Sequence, residues 1–115
     1  MNYANLLKSN GGFSLDKDNN APTSGYMVSL EGLEFIVDNF SDLSEDFVNK
    51  VCERYRPQAQ LRSEYVYFGA WVDDNKLYLD LSMNIQDREV AIAYGHANHQ
   101  KAIYDVNNDK SIYLD

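Results

Sequence analysis

The chain has 115 residues, 44% of them hydrophobic and 24% charged, which fits one globular domain able to bury a core without covalent staples. Its single cysteine, Cys52, excludes an intrachain disulfide and fits a reducing compartment. A net charge of −8 argues against a direct nucleic-acid reader, because phosphate backbones repel such a surface at long range; it either attracts a basic partner surface or, as is commoner, only keeps a small protein soluble.

Residues 1–24 are polar and turn-rich, and read as an N-terminal arm with a short helix at Tyr3–Lys8. They hold no apolar run long enough for a signal peptide, and no later run approaches a membrane span, so the expectation is a soluble cytoplasmic protein. Asp16, Asp18 and Asn20 have the spacing that opens a calcium-binding loop, but Ala21 stands where that loop needs Gly and Met27 where it needs a bidentate Glu. Gly11-Gly12 reads as a turn, since no helix follows to complete a phosphate cradle.

Gly25–Leu30 reads as a strand, and Gly32 breaks it. Residues 33–38 fit both periods: Leu33, Phe35 and Val37 alternate as in a strand, whereas Leu30, Leu33, Val37 and Phe40 recur at helical spacing. Gly32 and the β-branched content favour the strand. A helix follows over Ser44–Tyr55, with Ser44 as N-cap, Glu45 and Asp46 in the first turn, and Leu43 and Val48 as a hydrophobic staple. Its expected inner stripe is Phe47, Val48, Val51 and Tyr55, bordered by Cys52; Pro57 stops it, and 57–63 form a loop.

The stretch Glu64–Met83, EYVYFGAWVDDNKLYLDLSM, predicts a β-hairpin centred on Asp74-Asn75, residue types that tolerate the positive φ of a tight turn. In that register Val72 faces Leu77, Ala70 faces Leu79, Phe68 faces Leu81 and Val66 faces Met83, which makes one face apolar throughout. The other face carries Trp71 beside Tyr78, Gly69 beside Asp80 and Tyr67 beside Ser82. A slip of one residue would turn the apolar set into water. Asp87–Lys101 is the second helix, with Val90, Ala93, Tyr94 and Ala97 as its expected inner stripe, and Gly95 marks close packing against a neighbour. Ala102–Val106 and Ser111–Leu114 form a terminal hairpin in which either Asp105 meets Lys110 or Val106 meets Ser111. The elements predict a single-domain α+β fold, β-β-α-β-β-α-β-β, in which two helices pack on one face of an antiparallel sheet of five to six strands.

The residues that could carry chemistry form no complete set. His96 and His99 share a helix face at metal-ligand spacing, but no third and fourth ligand follow at a recognisable interval, so no metal and no cofactor are expected. Cys52 lies mid-helix beside the buried stripe, where a thiol packs rather than reacts. The expectation is a binding protein rather than an enzyme. Two surfaces are candidates. One is the acidic run Glu31, Glu34, Asp38, Asp42, Glu45 and Asp46, uninterrupted by a basic residue; it reads either as a solvated face or as a negative patch that replaces phosphates on a basic groove. The other is the aromatic hairpin face, Tyr67, Trp71 and Tyr78 with Tyr65 at its end, which reads either as a partner-binding hot spot or as a surface covered by a helix or by the N-terminal arm.

Four stretches, NGGFSLD (10–16), SGYMVSLEG (24–32), FGAWVDDNKLYLDLS (68–82) and GHANHQKAIYD (95–105), carry a resemblance to a family of small proteins borne by phages and integrative elements. The acidic middle is not part of that pattern. The resemblance implies origin on a mobile element and brings no catalytic residues. In size, charge and lack of motifs the chain is also similar to anti-CRISPR inhibitors of type II Cas9. That implies a host bacterial cytoplasm and, as partner, a basic surface of Cas9 or of its guide-RNA complex, without direct nucleic-acid binding or membrane contact.

Overall fold

The computed structural model describes residues 1–62 and 65–114. Ser63 and Glu64, the end of the expected loop and the first residue of the hairpin stretch, lie outside the described residues, as does Asp115. In chain order the elements are α1 (Tyr3–Asn10), β1 (Gly12–Leu15), β2 (Tyr26–Ser29), β3 (Phe35–Val37), a 3-10 turn at Phe40–Asp42, α2 (Glu45–Tyr55), α3 (Pro57–Gln60), β4 (Val66–Asp73), β5 (Lys76–Ile85), α4 (Arg88–Ala97), β6 (Ala102–Asp105) and β7 (Lys110–Tyr113). The strands form one antiparallel sheet, seven-stranded among the described residues, in the order β1-β4-β5-β2-β6-β7, with β3 also paired to β5. The radius of gyration, 13.8 Å, is close to the ~13 Å expected of one compact unit of this length. No helix among the described residues is long and apolar enough to cross a membrane.

The β4–β5 hairpin has the register its alternation dictates, from Val66 opposite Met83 through Phe68–Leu81 and Ala70–Leu79 to Val72–Leu77. Asp74 and Asn75 take φ of 49° and 57°, the left-handed pair of a two-residue turn whose twist matches the strands. The apolar face of this hairpin is the floor of the main core. Tyr3, Ala4 and Leu7 of α1, Val48 and Cys52 of α2, and Ala59 of α3 pack on Val66, Phe68, Ala70, Leu77, Leu79 and Leu81. Phe68 is wholly buried among the rings of Tyr3, Phe13 and Tyr55.

Several expectations are corrected. The sheet has a seventh strand: Gly12–Leu15, expected within a polar arm, pairs with β4 from Gly12–Trp71 to Leu15–Phe68. Pairing to a long neighbour makes a strand of a segment too short and too glycine-rich to announce itself. Helix α3 replaces part of the loop at 57–63, with Pro57 in its first turn, where a missing N–H costs nothing. On α2, Phe47 faces outward at 45% exposure and Cys52 takes the centre of the stripe. On α4 the inner residues are Ala91 and Gly95, with Ile92 beside them, while Val90, Ala93, Tyr94 and Ala97 are exposed. Small residues let α4 approach closely: a Cβ on Gly95 would lie 2.6 Å from Leu114 Cδ1 and 2.9 Å from Ile103 Cγ2. Accordingly α4 does not share the hairpin core but caps a second cluster of Val28, Ala91 and Ile103. The terminal hairpin has Asp105 opposite Lys110.

Candidate functional site

Residues paired across strands share a face, so the register assigns every strand position to one side of the sheet. The side of Phe68, Leu79, Val28 and Ile103 carries all four helices. The opposite side carries Gly12, Ser14, Tyr67, Gly69, Trp71, Tyr78, Asp80, Ser82, Ser29, Met27, Tyr104 and Ser111, and no helix among the described residues covers it. The loop between β1 and β2 reaches it at Ala21 and Pro22, which bound a groove of about 760 Å³ together with Met27, Trp71, Asp80, Tyr104 and Ser111, and at Ser24, whose carbonyl accepts from Asn84 Nδ2 at 2.9 Å. The loop itself is shaped by Asp16, whose Oδ1 accepts from the N–H groups of Asp18 and Asn20 at 2.8 and 2.9 Å.

Trp71 and Tyr78, cross-strand partners, stack with ring centroids 5.3 Å apart and planes 2° from parallel. Tyr67 lies on the same side opposite Ser82, and partial burial, then the Asp16 carboxylate, raises its phenol pKa. Between Trp71 and Tyr67 on β4 stands Gly69, and over it lies the Asp80 side chain: a Cβ on Gly69 would be 2.4 Å from Asp80 Oδ1. Glycine is therefore what lets the carboxylate occupy the gap between the aromatic rings.

Asp80 is only 5% exposed. Its Oδ2 accepts from Ser29 Oγ at 2.7 Å and Ser82 Oγ at 3.3 Å. Oδ1 accepts no hydrogen bond and the carboxylate has no cation within ion-pair distance among the described residues. Burial raises its pKa above the usual carboxylate range, the two serines oppose that shift, and the nearby Glu34 charge adds to it. The ladder is also broken here. β2 pairs with β5 at 82–85 and β3 pairs at 77–79, so no strand residue pairs with Asp80 on that edge. A second cavity, about 210 Å³, opens at the break and is lined by Ser29, Glu31, Glu34, Asp80, Asn98 and His99. Asp80 and Ser29 thus border cavities on two sides.

The acidic residues of the other candidate surface are all exposed, but they are contiguous in sequence and spread in space. Glu31 accepts from or pairs with His99 Nδ1 at 2.9 Å, just past α4, which sits over β2 and β6. Glu45 pairs with Lys8 of α1, which sits over β1 and β4. Asp46 pairs with Lys50 one turn along α2 at 3.0 Å. Glu34 lines an apolar pocket of about 460 Å³ on the helical side, with Phe35, Tyr55, Arg54 and Arg62. Asp38 precedes and Asp42 ends the 3-10 turn, in which Ser41 N–H donates to Asn75 Oδ1 of the hairpin at 2.8 Å. Exposed pairs of this kind contribute little to stability, so the run remains available as surface charge.

Cys52 is buried in the main core, and burial, then the Glu53 charge, pushes its thiol pKa up to about 12. It is a packing residue. Among the described residues no group of three or more His, Cys, Asp or Glu side chains converges in a way that could hold a metal. Sequence reasoning placed Tyr67, Trp71 and Tyr78 on one surface, and the structure brings them together. It missed Asp80 and Ser29: the alternation sets Asp80 beside Gly69, but its burial and its contact with Ser29 depend on which strand joins β5. No protein-family model matches this chain, and comparison with curated proteins and with solved structures finds no match.

Proposed function

We propose that this chain is a non-enzymatic, mobile-element-borne inhibitor of host defence. In this reading its helix-free sheet face docks on a basic, nucleic-acid-binding surface, with Cas9 the first target to test. The observation that carries the proposal is an aromatic sheet face, Trp71 stacked on Tyr78 with Tyr67 alongside, left without a helical cover in a chain of net charge −8. Trp and Tyr dominate the energetically important centres of interfaces. The exposed carboxylates Glu31, Glu34, Asp38, Asp42, Glu45 and Asp46 add a long-range field that draws the chain toward a groove built for phosphates. The division of labour follows: aromatic residues hold, acidic residues steer.

The test is cleavage of a matched DNA by Cas9 in the presence of increasing protein. It compares wild type, a Trp71→Ala/Tyr78→Ala variant, and a variant with Lys at Glu34, Asp38, Asp42 and Glu45. Wild type is expected to inhibit, the aromatic variant to lose inhibition by ~100-fold or more, in keeping with a hot-spot loss of about 3 kcal/mol for the stacked pair. The charge-reversed variant is expected to inhibit more slowly and with weaker salt dependence. Absence of inhibition at large excess over several Cas9 orthologues removes the Cas9 reading. The face would then belong to a protein-binding module of mobile-element biology unrelated to CRISPR.

A further inference from the structure

We propose that the trough floored by Asp80 on the open sheet face is a receptor for one basic side chain, an arginine presented by the partner protein. The inference rests on the reading of this face as a docking surface and specifies its chemistry. Asp80 is a carboxylate nineteen-twentieths buried, with one oxygen held by Ser29 and Ser82 and the other, Oδ1, accepting nothing among the described residues. Every buried polar side-chain atom of the described residues has a partner, so Oδ1 is not sealed in, and Asp80 lines the groove. A buried charge without a counter-charge is costly, and the Glu34 carboxylate, of the same sign, adds to that cost. An incoming cation relieves both terms at once.

The walls suit an arginine. Trp71 and Tyr104 line the groove together with Asp80, and Tyr78 on β5 stacks on the Trp71 ring. Aromatic walls attract a guanidinium through their π faces and accept the apolar stem of the side chain, while a planar N–H fork reaches a single carboxylate oxygen. A lysine offers the charge but not the stacking plane. Gly69 is the feature that builds the trough, because a side chain there would displace the carboxylate from its floor.

The probe is the peptide acetyl-Gly-Arg-Gly-amide, titrated into the isotopically labelled full chain and followed by amide and indole NMR shifts. The neutral citrulline peptide and the lysine peptide serve as comparisons. The arginine peptide is expected to give saturable shifts at Ser14, Gly69, Trp71 and Asp80, with affinity at least about tenfold above that of the citrulline peptide. Asp80→Asn is expected to abolish that difference, and Trp71→Leu, which keeps an apolar side chain but removes the ring, to weaken arginine binding while leaving the fold. Absence of shifts, equal binding of the citrulline peptide, or full arginine binding by Asp80→Asn overturns the proposal. If Asp80→Asn does not fold, loss of arginine binding in Trp71→Leu supports the trough and its retention overturns it. The peptide measurement contains no Cas9. Arginine binding without Cas9 inhibition leaves the trough standing and removes Cas9 as the target, whereas Cas9 inhibition undiminished in Asp80→Asn removes the trough and leaves the docking face.

Discussion

At the residue scale, two buried carboxylates pull stability in opposite directions with pH. Asp105 accepts from Asn108 Nδ2 at 2.8 Å and from Asn108 N at 3.3 Å, and the Asn108 side chain is the main cause holding its pKa below the usual range. Its folded pKa lies below the unfolded value of about 3.9, so its contribution is present above that value and is lost as pH falls through the folded one. Asp80 has the reverse sign. Burial raises its folded pKa above the unfolded value, so the folded state holds the proton longer and stability declines as pH rises through that window. Asp80→Asn is therefore expected to raise the midpoint of thermal unfolding at pH 7, with the difference closing below about pH 4, where both states are protonated. A lower midpoint at pH 7 would mean that the charge is stabilising and that the serines fully compensate its burial. Gly69 tests the same contact from the other side. Gly69→Ala places a Cβ 2.4 Å from Asp80 Oδ1 and is expected to cost about 1–3 kcal/mol in chemical denaturation. In an Asp80→Ala background that cost is expected to fall below about 0.5 kcal/mol, a coupling that a double-mutant cycle reads directly.

At the element scale, legibility follows how much of an element's definition is local. The β4–β5 hairpin carries its own alternation, its own turn residues and its own apolar face, and its register could be read residue by residue. β3 was ambiguous by period, and its strand conformation is settled by pairing to Leu77–Leu79. β1 has almost no local signal, and only the exposed edge of β4 makes it a strand. On α4 the apolar residues Val90 and Tyr94 drew attention to a face that turns outward, because Ala91 and Gly95 bury little area and work by close approach. The candidate site divides in the same way. Its rings belong to one hairpin and were visible; its carboxylate acquires meaning only when β2 brings Ser29 to Asp80. Two substitutions check these assignments. Phe68→Ala, at the centre of the ring cluster, is expected to cost about 3–5 kcal/mol, and a loss below about 1 kcal/mol would place the core elsewhere. Gly95→Ala is expected to destabilise despite alanine's gain of about 1 kcal/mol in helix propensity, because Leu114 and Ile103 occupy the space.

At the scale of the whole molecule, the sheet separates two tasks. One face buries the core under four helices; the other presents stacked rings, a groove and a buried carboxylate. The surplus of negative charge surrounds this arrangement rather than forming one patch. Association with a basic partner is expected to slow steeply as ionic strength rises from about 0.05 to 0.5 M, since steering is screened beyond about 8–10 Å at physiological salt. If the aromatic contacts hold the partner as proposed, dissociation is expected to change far less, and stopped-flow or surface-binding kinetics separate the two. A salt effect confined to dissociation would assign the holding contacts to the carboxylates instead.

The central claim is that the helix-free face is where the partner sits. Oxidative footprinting of the full chain, alone and with Cas9, reads that claim at the side chains themselves, because tryptophan and tyrosine are among the residues the method labels. Trp71, Tyr78 and Tyr67 are expected to be protected in the complex, with Phe47 on α2 and Tyr94 on α4, both on the helical side, labelled as before. Protection of Phe47 or Tyr94 with Trp71 and Tyr78 unchanged, or no protection anywhere, would contradict it.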